Sequence, residues 1–139
     1  MRVLVVFEST LGRTRAMAIA ICDGVRSQGI ACDLVPADEF TSLEGACAVA
    51  FGSSTRIKRP LPKIREILSE LGSMEGMPAA SFGSYGWSGE APDIIAEELT
   101  KRGAVLISKP VKAKEYPDEI SLGECRALGV ALARSCHKE

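Results

Sequence analysis

The chain has 139 residues, 46% of them apolar and 25% charged, with a formal net charge of −1. This length suits a single domain over residues 1–139 that buries a core without staples, and the charge balance excludes a general binder of nucleic acid or other polyanions. The apolar runs are too short to span a bilayer, and Met1-Arg2 leads straight into a strand pattern, so neither a membrane span nor a secretory leader is expected.

Val3-Leu4-Val5-Val6-Phe7 is a run of apolar, largely β-branched residues that reads as a buried strand. It passes through the turn Ser9-Thr10-Leu11-Gly12 into helical spacing from Arg13 to about Gln28, with Met17, Ala20, Ile21, Cys22 and Val25 toward one side and Gly29 as the stop. Ile30 to Val35 reads as a second strand closed by Pro36, Asp38 to Leu43 as a brief helix or turn, and Ala46 to Gly52 as a third strand. Ser53 to Pro62 reads as a polar, basic loop. Pro62 suits the first turn of a helix whose apolar stripe is Ile64, Ile67, Leu68 and Leu71. Ala79 to Gly83 is a fourth strand, Ser84 to Gly89 a glycine-rich loop, Asp93 to Arg102 a helix and Val105 to Val111 a fifth strand. The last helix is expected from about Asp118 to His137, or one turn later if Ser121 and Glu124 form a capping box.

Strands alternating with helices imply a three-layer, doubly wound α/β domain with a five-stranded parallel sheet and right-handed crossovers. If the strand order is 2-1-3-4-5, the loops after strands one, three and four gather at the carboxyl edge of the sheet. Ligands of such sheets bind there, where the winding reverses. These three loops are also the compositional anomalies of the sequence.

The first loop leaves helix-start N–H groups without intrahelical partners, in the positive field of the helix dipole, and Ser9, Thr10 and Thr14 add hydroxyls. That is a phosphate cradle, although the same residues also suit plain helix capping. Neither G-x-x-x-x-G-K-[ST] nor G-x-G-x-x-G follows the strand, which argues against a nucleoside triphosphate or a dinucleotide. The third loop holds the single Trp of the chain, Trp87, and one of its two Tyr, Tyr85, among Gly83, Gly86 and Gly89. It suits stacking of a flat ligand or an aromatic hot spot for a partner. Arg56, Lys58 and Arg59 of the middle loop suit a negative group of the ligand, an acidic partner, or a solvated face.

Five cysteines, Cys22, Cys32, Cys47, Cys125 and Cys136, include no C-x-x-C pair and sit in apolar surroundings. They read as reduced thiols used as small hydrophobes, and so point to the cytoplasm. His137 is the only histidine, which leaves no His-based zinc site or triad.

Taken with their spacing, these loops resemble those of the flavodoxin-like family, and more closely the flavodoxin domain of the A-type (flavo-diiron) flavoproteins. Ser9-Thr10-Leu11-Gly12-Arg13-Thr14 is similar to the family's phosphate loop, and Gly52-Ser53-Ser54-Thr55 to its Gly-Ser-Pro-Thr loop. Phe82-Gly83-Ser84-Tyr85-Gly86-Trp87-Ser88-Gly89-Glu90-Ala91 is similar to the flavo-diiron form of the loop after strand four. The resemblance implies the flavodoxin fold, for which order 2-1-3-4-5 with FMN at the switch point is the standing example. It implies non-covalent FMN, with phosphate on Ser9, Thr10, Gly12, Arg13 and Thr14, Leu11 in the same cofactor-binding loop, and the ring between Ser53, Ser54, Thr55, Arg56, Ile57 and Ser84, Tyr85, Gly86, Trp87, Ser88, Gly89. Trp87 is the favoured stacking residue, then Tyr85. The chain departs from the family at Arg13, where Asn or Ser is common, at Leu11, and at Ser54 in place of Pro.

The implied function is electron transfer through FMN to or from a protein partner, an acidic one suiting the basic loop, with no bound metal and no catalytic residue. The metal-binding domain of the flavo-diiron proteins needs several histidines, so this chain reads as a free-standing relative or an excised domain, a redox carrier or one domain of an oxidoreductase rather than a stand-alone enzyme. The alternative is a cofactor-free flavodoxin-like module that docks through its basic loop and Trp87. A reductase of a small substrate lacks an acid–base constellation, because Glu8 and Glu90 are the only carboxylates near the loops and both read as solvated.

Overall fold

β1 (Arg2–Glu8) can run through the centre of the sheet because Val3 to Phe7 need no water on either face. In a computed structural model that describes residues 1–136, Val3, Val5 and Phe7 join one core cluster and Leu4 and Val6 the other. This is the period-two alternation of a strand covered on both sides.

β1 is followed by α1 (Arg13–Arg26), β2 (Ala31–Pro36), a 3-10 turn (Ala37–Glu39) and β3 (Ala46–Ser53). A short hairpin, β4 (Thr55–Arg56) with β5 (Arg59–Pro60), leads into α2 (Pro62–Glu70), β6 (Pro78–Tyr85) and α3 (Ala91–Lys101). Then come β7 (Val105–Leu106), β8 (Val111–Lys114) and α4 (Glu119–Cys136). The parallel sheet has the order β2-β1-β3-β6-β7, with β8 also pairing β6. β7 pairs the start of β6 (Pro78↔Val105) and β8 its end (Tyr85↔Lys114), so the two pieces together fill the place of the fifth strand. The chain is therefore flavodoxin-like, with the expected order of strands.

α1 and α4 cover one face through Met17, Ile21, Cys125, Leu128 and Leu132, and α2 and α3 cover the other through Ile64, Leu68, Ile95 and Leu99. α4 starts at Glu119 rather than a turn later, because the Asp118 carboxylate accepts the Ser121 N–H at 2.8 Å. Hydrogen bonds from Ser121 hold the Asp118 carboxyl below its ordinary pKa. The expected end of this helix at His137 lies outside the described residues.

Three expectations need correction. The fifth strand is not continuous: it breaks between Leu106 and Val111, and Pro110 in the gap has no N–H to donate to a ladder. The fourth strand is longer than expected and takes in Ser84 and Tyr85. Four of the five cysteines are not free thiols. Cys22 is bonded to Cys32 and Cys47 to Cys136, across Cα separations of 5.5 and 5.3 Å. Both bonds lie at the amino edge of the sheet, where β2 and β3 begin, away from the three loops. Cys125 alone is free, and burial pushes its thiol pKa up to about 12.

Candidate functional site

β1, β3 and β6 lie side by side and parallel, so their C-terminal loops open onto one edge. What joins the loops is a set of hydroxyls. The Thr14 side chain is fully buried, and its Oγ1 lies 2.8 Å from Ser84 Oγ and 3.1 Å from Ser54 Oγ. The Ser84 N–H also donates to Thr14 Oγ1 at 3.4 Å. One residue from α1 thus ties the end of β3 to the end of β6. Gly83 permits that approach, because a Cβ there would overlap the Ser53 carbonyl oxygen and stand 3.1 Å from the Pro92 ring.

Above this floor lies a cavity of about 200 Å³ lined by Thr10, Leu11, Arg13, Ser54, Thr55, Arg56, Leu61, Ser84, Tyr85 and Gly86. Gly12 precedes α1 at φ 80°, a left-handed conformation that costs glycine nothing and turns the chain into the helix. No side chain caps that helix, so its first N–H groups remain available to a ligand. Arg13 is half-buried in the cavity wall, with a guanidinium nitrogen 3.9 Å from the Cβ position of Gly86, and forms no ion pair among the described residues. Ser9 Oγ is buried without a hydrogen-bond partner in the protein. Ser9 lines a separate, adjacent cavity with Phe7, Glu8, Pro36, Ala37, Asp38 and Lys63. Unpaired N–H donors at a helix start and an unpaired guanidinium form a donor set for an anion.

The middle loop is folded, which the sequence reading missed. Thr55 pairs with Pro60 and Arg56 with Arg59, leaving Ile57 and Lys58 at the tip. Ser53 Oγ accepts the Leu61 N–H at 2.8 Å and donates to the Ser54 carbonyl, and Thr55 Oγ1 accepts the Ala91 N–H at 3.0 Å. These bonds anchor the hairpin to the starts of α2 and α3. Ser53 is accordingly buried beneath the cavity, and Arg56 is exposed along its wall. Ile57 stands outside the cavity, 83% exposed.

Tyr85 lines the cavity and packs closely against Gly89, where a Cβ would stand 3.0 Å from its ring. Trp87 is 95% exposed at the crest of its loop, and Ser88 and Gly89 are partly exposed beside it. Glu8 does not read as the solvated carboxylate expected. It is half-buried, and its Oε1 accepts the Ile64 N–H at 2.9 Å, capping α2. No sequence signal links positions so far apart. Glu90 precedes α3, and its Oε1 is buried without a protein donor.

A larger cavity, about 510 Å³, opens between Phe40–Leu43 and α2. Its charged wall is the exposed face of α2, where Lys63 and Glu66 pair with each other at 3.5 Å; Thr41, Ser42, Gly72 and Ser73 also line it, but it lies away from the three loops at the carboxyl edge of the sheet. The smaller cavity is the one on which all three loops converge, with the unpaired Arg13 in its wall.

The comparisons with known proteins lead to the same edge of the sheet. The profile of the flavodoxin family matches residues 5–129. The chain belongs to the flavodoxin family. Membership carries the family's cofactor, FMN, and its class of chemistry, electron transfer, and the anion-binding donor set suits the phosphate of that cofactor. The anaerobic nitric oxide reductase flavorubredoxin of Aeromonas hydrophila is 34% identical over 143 residues, covering 96% of this chain and 29% of the relative. Among solved structures, a flavodoxin from the domain Archaea is 34% identical with a TM-score of 0.93, and the match covers 99% of each chain. Rubredoxin:oxygen oxidoreductase from Desulfovibrio gigas is 25% identical with a TM-score of 0.87, over 98% of this chain and 36% of that one. This flavodoxin-like chain thus spans about 29% of the length of the first curated relative it matches. Among the described residues, no helix is long and apolar enough to cross a membrane.

Proposed function

We propose that this chain carries electrons to or from a protein partner through a non-covalently bound FMN held by the three loops. The observation that carries the reading is the convergence of Thr14, Ser54 and Ser84, one residue from each loop, at a cavity whose Arg13 has no ion-pair partner among the described residues. When bound, FMN would supply the redox chemistry; the chain's own part is to hold the cofactor and set its surroundings.

The free N–H groups at the start of α1, the Thr10 hydroxyl and Arg13 are assigned to the phosphate. The Thr14 hydroxyl is committed to Ser54 and Ser84, so its role is to fix the loops, while its backbone N–H remains free for the anion. Tyr85 and Trp87 supply the aromatic surfaces for the ring. Arg56 lies along the cavity wall, where a cation favours the more negative, reduced form of a nearby flavin. The basic hairpin, with Arg56, Lys58 and Arg59 all exposed, suits an acidic redox partner.

A cytoplasmic site of action requires that both disulfides survive a reducing milieu. Such bonds persist inside cells chiefly in hyperthermophiles, and otherwise in oxidising compartments.

The test is to add FMN to the purified protein and record the flavin spectrum and the Trp87 fluorescence, then reduce and reoxidise the complex. The carrier reading expects bound flavin, quenched Trp87 and reversible reduction. A protein that stays colourless and unquenched in excess FMN would instead be a docking module.

A further inference from the structure

The β4–β5 hairpin has a two-residue tip, Ile57-Lys58, and both residues lie at positive φ, 50° and 61°. A two-residue hairpin turn of this hand is the one that Asn-Gly supplies at least cost. A β-branched residue at such a φ is a steric outlier. Ile57 is 83% exposed, and Arg56, Lys58 and Arg59 around it are exposed as well. None of the three cations has an ion-pair partner among the described residues. The turn therefore holds an aliphatic side chain out in water inside a ring of unneutralised positive charge. It does so on the edge that also exposes Leu11 and Trp87.

We propose that the Ile57–Lys58 turn is the contact through which this chain recognises an acidic electron-transfer protein. Ile57 enters an apolar recess on the partner, and Arg56, Lys58 and Arg59 meet carboxylates around that recess. The proposal rests on the FMN-carrier reading. Backbone strain kept at an exposed tip is a sign of use rather than of packing. A rigid turn presents its apolar anchor already ordered, which lowers the cost of association. The net charge of −1 does not draw an acidic partner to the molecule as a whole, so attraction and orientation must come from this local patch.

The experiment uses FMN-loaded protein, reduced with dithionite, and two one-electron oxidants: acidic plastocyanin and basic cytochrome c. Oxidation of one reduced FMN reduces two acceptor centres and releases its protons to water. FMN binding is read first, from the flavin spectrum. At low ionic strength, plastocyanin should be reduced about ten-fold faster than cytochrome c, and its rate should fall as salt is added. The double variant Lys58→Glu/Arg59→Glu should lose about ten-fold in the plastocyanin rate while keeping its FMN affinity within about two-fold. Ile57→Asn, at saturating FMN, should slow the plastocyanin reaction and yet raise Tm by a few degrees, because Asn accepts the left-handed conformation.

Three results would overturn the proposal: cytochrome c the faster acceptor, charge variants with an unchanged plastocyanin rate, or a rate loss matched by an equal loss of FMN affinity. The last would assign the hairpin to the cofactor instead. Wild-type protein that takes up no FMN overturns both the carrier reading and this one, whereas intact FMN binding with unaltered acceptor kinetics overturns this one alone.

Discussion

Replacing Thr14 by Val keeps its shape and removes the hydroxyl that joins the loops. The lost contacts are those to Ser84 Oγ at 2.8 Å, to Ser54 Oγ at 3.1 Å and from the Ser84 N–H at 3.4 Å. Ser84 is 1% exposed, so water does not replace the missing partner. A buried group left unpaired costs about 1–3 kcal/mol. Ser54 and Ser84 stand 3.5 Å apart and can recover one bond between themselves, which brings the expected net loss to about 2 kcal/mol. At ~2 cal/mol/K of unfolding entropy per residue, that loss corresponds to a fall in Tm of about 7 °C, measured by calorimetry on the cofactor-free protein. FMN should also add less stability to the variant than to wild type, because the loops it binds are less well fixed. Thr14→Ser keeps the hydroxyl and should restore most of the Tm. If Thr14→Ser were as damaging as Thr14→Val, methyl packing rather than the hydroxyl would be holding the edge together, and the reasoning would fail.

Other consequences follow from the same geometry. At Gly129 a Cβ would overlap the Ile21 carbonyl oxygen of α1. Ala there gains about 1 kcal/mol of helix propensity but has to separate two helices whose backbones touch, at about 1–3 kcal/mol or more, so Gly129→Ala should lower Tm. Reduction of both disulfides should destabilise the protein, most through Cys47–Cys136, which spans 89 residues. In the chain-entropy account, that bond is worth about 4.5 kcal/mol and Cys22–Cys32 about 2.5, so a melt in strong reductant that matched the oxidised one would refute the staple reading. Arg56→Gln should lower the potential of bound FMN by on the order of tens of mV, an effect weakened by salt; an unchanged potential in spectroelectrochemical titration would remove Arg56 from the flavin's surroundings.

The elements that were legible in the sequence are those whose burial is continuous. The runs at Val3–Phe7 and Ala48–Phe51 and the one-sided stripe of α1 are dictated by contact with the core, and their order fixes the winding. The hairpin after β3 was not legible, because its tip carries Ile57 and Lys58 where a turn signal would be Asn or Gly. Ser84 and Tyr85 read as loop because polar and aromatic residues beside glycine resemble a turn, yet pairing with Ala113 and Lys114 of β8 keeps them in the sheet. The disulfides escaped because pairing across 10 and 89 residues is a property of the tertiary fold and not of spacing. At the site, the residue types were legible but their division of labour was not: the Thr14 hydroxyl faces the other loops, and Glu8 caps α2.

We propose the edge built by the loops after β1, β3 and β6 as a site for a flavin with a phosphate. Its most direct test compares FMN with riboflavin, which has the same ring and no phosphate, by flavin-fluorescence titration of one protein preparation. With a phosphate anchored by helix-start N–H groups, Arg13 and Thr10, FMN should bind at least about a hundred-fold more tightly, and salt should narrow the gap. Equal affinity for the two flavins would contradict the account, because it would leave the first loop with no part in binding.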